Sequence, residues 1–188
     1  ESYVSKQANP VSQALALQAI KMICTHLPKA FFCGSDLHAR EQMLLGSFLA
    51  GVAFAQSKLG NVHAISHTFG GVFNIPHGIA NATLLPYVIE YNLAACPELF
   101  REIAIAMGED VDGLSLANAG RKVVEHVMAL NKAIGIPANI KDLGVDLDYM
   151  PQMVSDSMRS GNVLVNPRLT TAADIERIIN NAYHGLHS

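Results

Sequence analysis

Between Gln42 and Ile89, a span of 48 residues, the only charged side chain is Lys58. A stretch so poor in charge has few places to go. A membrane span would account for the composition, but His63, His67, Pro76, His77 and Pro86 interrupt the apolar windows there, so none is expected. Helices that are apolar on every side otherwise belong in the centre of a large helical domain. The reading is that this stretch is the buried heart of the fold, with three of the chain's eight histidines inside it.

The rest of the composition narrows the class. Half of the 188 residues are apolar and 15% are charged, which excludes a disordered chain. Thirteen Lys and Arg stand against sixteen Asp and Glu, for a net charge of −3, and no basic run is interleaved with aromatics. A nucleic-acid footprint is therefore absent. Cys24, Cys33 and Cys96 are odd in number and widely spaced. They read as inert buried thiols in a reducing, cytoplasmic setting, not as a disulfide framework or a metal knuckle. The first residue is Glu1, with no basic or apolar leader, which suggests a removed segment or a piece of something longer.

The punctuation is helical throughout. Asn9-Pro10 predicts a helix to about Leu27, closed by Pro28. Ser35 or Asp36 caps one over about 37–58, and Pro76-His77-Gly78 opens one to about Asn92. Pro97 opens a helix that ends at Gly108, and Ser115 caps a long one ending before Gly135-Ile136-Pro137. Asp148 caps a helix to about Arg159, and Thr171 with Asp174 forms a capping box for the last, which ends near Gly185. Strand-like alternation is confined to Asn162–Val165, too short to matter. One all-α domain over residues 1–188 is the expectation. All seven methionines, Met128 and Met158 included, read as core filler. His26, His38, His126, His184 and His187 read as surface or helix-end residues without clustered partners.

The remaining histidines are the anomaly. His63 and His67 are four apart, which puts both on one helix face. Gly70-Gly71 and Pro76 then turn the chain, and His77 falls in the first turn of the next helix, where the return brings it back toward His63. Neutral imidazoles converging in a charge-poor interior suit a transition metal. A zincin is excluded because Ala64, not Glu, follows His63.

The segment from Gly60 to Pro86 resembles the signature of the iron-containing (group III) alcohol dehydrogenases, G-x-x-H-x-x-x-H followed by P-H-G-x-x-N-A-x-L-L-P. Glu1-Ser2-Tyr3, Gly135-Ile136-Pro137 and Asn166-Pro167-Arg168 extend the resemblance over essentially the whole chain. It implies the all-helical C-terminal domain of such an enzyme, with the N-terminal dinucleotide-binding domain absent from this chain. In keeping with that, no G-x-G-x-x-G occurs, and Gly46 and Gly51 are not followed by the Lys-Ser/Thr of a phosphate loop.

The resemblance also implies roles. His63 and His77 match two metal ligands, and His67 matches the histidine beside substrate and nicotinamide, a catalytic candidate. The other two ligands of the family, an Asp and a His in D-x-x-x-H-A-x-E-x-Y, would fall seven and three places before Glu1. The implied cofactors are a divalent metal, Fe2+ or else Zn2+, and NAD or NADP held mainly by the other domain. The implied partners are a small alcohol or aldehyde and a second copy in a dimer. Alternatives are a non-catalytic helical or oligomerisation module, and a glycerol dehydrogenase-like or metal-independent reductase relative.

Overall fold

Short polar side chains set most of the helix starts. Asn9 accepts from the amides of Val11 and Ser12 while Ser12 answers back, and α1 (Pro10–Phe32) begins there. Asp36 accepts from Ala39 N–H to open α2 (Leu37–Ser57), and Ser115 accepts from Asn118 N–H to open α6 (Leu116–Ala133). Thr171 and Asp174 form the expected reciprocal box at α9 (Ala172–His184). The structure, a computed structural model, describes residues 1–185. The remaining helices are α3 (Asn61–Phe73), α4 (His77–Asn92), α5 (Pro97–Met107), α7 (Met150–Met158) and α8 (Gly161–Val165). Three 3-10 turns complete the regular structure, and no strand occurs among the described residues. The protein is all-α.

Four local expectations are corrected. Pro28 lies inside α1, which continues to Phe32 because the helix is packed along α2 for its length. Gly70-Gly71 are helical, and the turn comes later, at Asn74, whose left-handed φ of 55° ends α3. Asp148 sits within a 3-10 turn capped by Asp146, so α7 starts at Met150. The Asn162–Val165 run belongs to α8, opened by Ser160 accepting from Asn162 N–H.

Helix α4 is the spine. Leu84, Tyr87 and Val88 face one core with Ile65 and Phe69 of α3, Met153 of α7 and Ile175, Ile178 and Ile179 of α9. Ile89 faces a second core with Tyr3, Phe100, Ile103, Val123 and Val127. Each such side chain contributes roughly 1.5–3 kcal/mol by leaving water. Pro86 lies inside α4 and has no N–H, so the carbonyl of Ala82 loses its helical donor. Asn131 of α6 replaces it, donating from Nδ2 at 2.7 Å.

The charge-free stretch divides in two. Residues of α3 and α4 fill the first core, as expected. On α2, however, Leu44, Phe48 and Phe54 are exposed, since α2 packs mainly on α1 and leaves its outer face open. Absence of charge there marks an apolar surface, not an interior. Met22 and Met153 are core residues, but Met128 and Met158 are more than a third exposed. Cys24 and Cys96 are partly buried and Cys33 is exposed, so the inert-core reading fails for Cys33. No single described helix is long and apolar enough to cross a membrane.

Candidate functional site

The N-terminal segment is fastened before α1 begins. Tyr3 donates its hydroxyl to Glu102, Lys6 N–H bonds to Val165 O at 2.8 Å, and Ser5 Oγ bonds to Ser57 O. That fastening delivers Glu1 to the start of α3. Gly60, the residue before α3, offers no side-chain cap. The Glu1 carboxylate supplies one: Oε1 accepts from Val62 N–H at 2.6 Å, an anion at the positive end of a helix.

A buried polar knot holds the same corner. Asn166 Oδ1 accepts from Asn61 N–H and Asn92 Nδ2, and its own Nδ2 donates to Asn92 Oδ1 at 2.8 Å and Arg168 O at 2.9 Å. Asn61 Nδ2 donates to Thr170 Oγ1, and the Arg168 guanidinium lies over the Tyr91 ring at 4.3 Å. The Asn166-Pro167-Arg168 run therefore ties the start of α3, the end of α4 and the loop before α9 into one unit.

On that frame the three histidines meet. The His63 and His77 ring centroids are 5.2 Å apart, those of His63 and His67 5.9 Å, and those of His67 and His77 5.4 Å, the last pair stacked. The second carboxylate oxygen of Glu1 is hydrogen-bonded to His63 Nδ1. This fixes the tautomer, with Nδ1 carrying the proton and Nε2 free. His63 Nε2 and His77 Nε2 both face Asn81 Nδ2, at 3.2 and 3.0 Å. Asn81, one turn after His77 on α4, thus joins the three histidines as a fourth member of the cluster.

The setting differs from the buried interior expected. His63 is partly buried, but His67 and His77 are exposed, so the cluster lies at an open face of the molecule. Partial desolvation, then the neighbouring His63 and His77, hold the His67 pKa below its ordinary value, with Glu1 opposing. An apolar cavity of ≈ 500 Å³ ends against Glu1, His63 and Asn81 and is walled by Ile20, Ile23, Phe54 and Leu85. On the other side His67 lines an open cleft of ≈ 440 Å³ with Thr68, Gln152, Asp156 and Arg159.

Two neutral imidazole nitrogens, one backed by a carboxylate, are a donor set of the kind borderline divalent ions accept. No group of three or more His, Cys, Asp or Glu able to hold a metal occurs among the described residues. The chain's own donors are of a kind that fits such an ion, and they are too few to complete its shell.

Sequence reasoning missed Glu1 as a partner of His63 and Asn81 as a partner of both imidazoles. Asn81 was signalled by its spacing of four from His77. Of the five histidines expected to stand without clustered partners, His26 and His38 do not. The rings of His26 and His38 meet edge to face at 5.6 Å across the α1–α2 hairpin. Among the others, His126 Nδ1 bonds to Glu109 at 2.7 Å, His184 is exposed at the end of α9, and His187 lies outside the described residues.

Residues 1–183 match the Fe-containing alcohol dehydrogenase family, C-terminal part. The chain is 45% identical to the 1,3-propanediol dehydrogenase of Klebsiella pneumoniae, over 97% of this chain and 47% of that protein. It is 42% identical to the NAD-dependent methanol dehydrogenase of Bacillus methanolicus, over 97% of this chain and 48% of that protein. Among solved structures, the alcohol dehydrogenase from Oenococcus oeni superposes with a TM-score of 0.95 at 42% identity, covering 97% of this chain and 48% of that one. The chain spans about half the length of the curated relatives it matches. It belongs to the iron-containing alcohol dehydrogenase family, as that family's C-terminal helical part.

Proposed function

We propose that this chain is the metal-binding helical half of an iron-dependent, NAD(P)-linked alcohol dehydrogenase that interconverts a small alcohol and its aldehyde. The observation that carries the reading is the convergence of His63 Nε2 and His77 Nε2, with the Glu1 carboxylate fixing the tautomer of the first. In this reading residues 1–188 form one domain, and a dinucleotide-binding domain completes the enzyme. An Asp and a further His ahead of Glu1 would finish the metal shell, with Fe2+ the expected ion and Zn2+ the alternative.

Bound metal supplies a Lewis acid that lowers the pKa of the alcohol oxygen. The chain's residues do the rest of the positioning. His63 and His77 present neutral lone pairs. In this reading His67, whose ring stacks at 5.4 Å on that of His77, takes the hydroxyl proton on a ring nitrogen. A nicotinamide held by the other domain would supply the hydride acceptor. Three free cysteines accord with a cytoplasmic location, and the open apolar face of α2 accords with a homo-oligomer.

The test joins this chain to the N-terminal half of the Klebsiella 1,3-propanediol dehydrogenase and measures bound iron and alcohol-dependent reduction of NAD and NADP. The joined protein is expected to bind metal and turn over, His63→Ala and His77→Ala to lose metal, and His67→Ala to keep metal while losing at least tenfold in kcat. The 188-residue chain alone is expected to hold iron weakly and to reduce neither nucleotide. Stoichiometric metal retained by His63→Ala and His77→Ala would sink the ligand assignment.

A further inference from the structure

The amide of Asn81 does something at this site that a spectator would not. Its Nδ2 lies 3.2 Å from His63 Nε2 and 3.0 Å from His77 Nε2, while its Oδ1 is buried without a hydrogen-bond partner. A structural amide would be expected to satisfy its oxygen; this one leaves it bare and spends both protons on imidazoles.

The orientation is chemically consistent. The Glu1 carboxylate also accepts Val62 N–H, so it acts as an acceptor, and His63 Nδ1 must be the donor to it. A neutral His63 then carries a lone pair on Nε2. An NH2 group has two hydrogens: one meets the His63 lone pair, and the other is matched when His77 Nε2 is likewise unprotonated. Turning the amide over would aim its oxygen at the His63 lone pair.

The distances are informative as well. Two donors each about 2.1 Å from one ion, at angles of ~90–109°, lie about 3.0–3.4 Å apart. The Asn81 nitrogen stands at that separation from both imidazole nitrogens. It sits where a neighbouring member of a coordination shell would sit.

We propose that Asn81 is a positioning residue beside the cation's place: without an ion, its two amide protons hold the Nε2 lone pairs of His63 and His77 together in the metal-accepting tautomer. The inference rests on the metal-binding reading of the site. It makes the pair a preformed clamp, and loading exchanges the two amide hydrogen bonds for bonds to the ion.

Two measurements on the 188-residue chain test it. The first is 15N-histidine NMR in the presence of chelator at pH 8. His63 and His77 should both show an unprotonated Nε2, and Asn81→Ala should shift the tautomer populations of both. A protonated Nε2 in the parent chain, or unchanged His63 and His77 signals in Asn81→Ala, overturns the proposal. The second asks for a gain and so does not depend on a damaged fold. Asn81→Asp puts an anionic oxygen at the same vertex and should bind Zn2+ at least tenfold more tightly than the parent chain. Adding His63→Ala or His77→Ala should abolish that gain. A smaller gain, or one that survives either histidine substitution, overturns the proposal. Should these fail while His63→Ala and His77→Ala still strip metal from the joined protein, only the role of Asn81 falls. Should the joined protein bind no metal, the broader reading falls whatever the tautomers show.

Discussion

One carboxylate does two jobs at the residue scale. Glu1 caps α3 with one oxygen and sets the His63 tautomer with the other, and Gly60 leaves room for it. A Cβ at Gly60 would come within 2.9 Å of Glu1 Oε1 and 3.0 Å of Asn166 Oδ1. The Glu1 end can swing away, but Asn166 is fully buried in its knot and cannot. Gly60→Ala should therefore cost about 1–3 kcal/mol, as overpacking does. At this chain length that lowers the melting temperature by roughly 2–4 °C per kcal/mol, which a thermal melt would read. An unchanged melt would mean the corner is softer than its hydrogen bonds suggest. The thiols give a second check. Burial raises the Cys24 and Cys96 pKa values to about 11, while Cys33 is exposed, so maleimide at pH 8 should label Cys33 alone in the folded chain. The histidine cluster was legible because its members lie within fifteen residues at helical spacing. Glu1 was not legible as a partner, because 62 residues separate it from His63 and only the folded N-terminal segment closes the gap.

At the scale of elements, local chemistry was readable and tertiary override was not. Asn9, Asp36, Ser115 and Thr171 announce helix starts because a cap needs only its next three residues. Pro28 reads as a stop, yet packing of α1 along α2 carries the helix through it to Phe32. Gly70-Gly71 reads as a turn, yet Asn74 supplies the left-handed residue. The caps also carry a pH dependence. Asp174 is held below the usual carboxylate range, first by the backbone amide of Thr171 and then by its side chain. Asp36 is lowered likewise by the amide of Ala39 and then by Lys29. A depressed carboxylate contributes stability that is present above its unfolded pKa and is lost as pH falls through its folded one. Asp174→Asn, which cannot ionise, should therefore flatten the acid side of the melting-temperature profile and leave its neutral-to-alkaline shape alone. Parallel acid limbs in the two proteins would show that other carboxylates govern acid unfolding.

For the whole molecule, the question is what an apolar face is doing in water. Leu37, Leu44 and Phe48 of α2 and Phe32 at the end of α1 are 65–77% exposed. For Leu44 and Phe48 the sequence reports only that charge is missing after Glu41, and two outcomes share that signature: a helix inside a core and a helix facing another body. Only the packing of α2 on α1 distinguishes them. Isolated exposed hydrophobics are ordinary, but several on one hairpin are the mark of an interaction surface. Burying each of the four is worth roughly 1.5–3 kcal/mol. In a symmetric pair the sum is counted twice, enough to exceed an association cost of roughly 4–15 kcal/mol over much of that range. The 188-residue chain should therefore self-associate in a concentration-dependent way, which sedimentation velocity across a dilution series would detect. Replacing Leu44 and Phe48 together by Ser should weaken that association at least tenfold without lowering the helical circular dichroism, since neither side chain is buried in a core. A parent chain that stays monomeric into the high micromolar range, or a double variant that associates as well as its parent, would show that this face is not what brings two copies together.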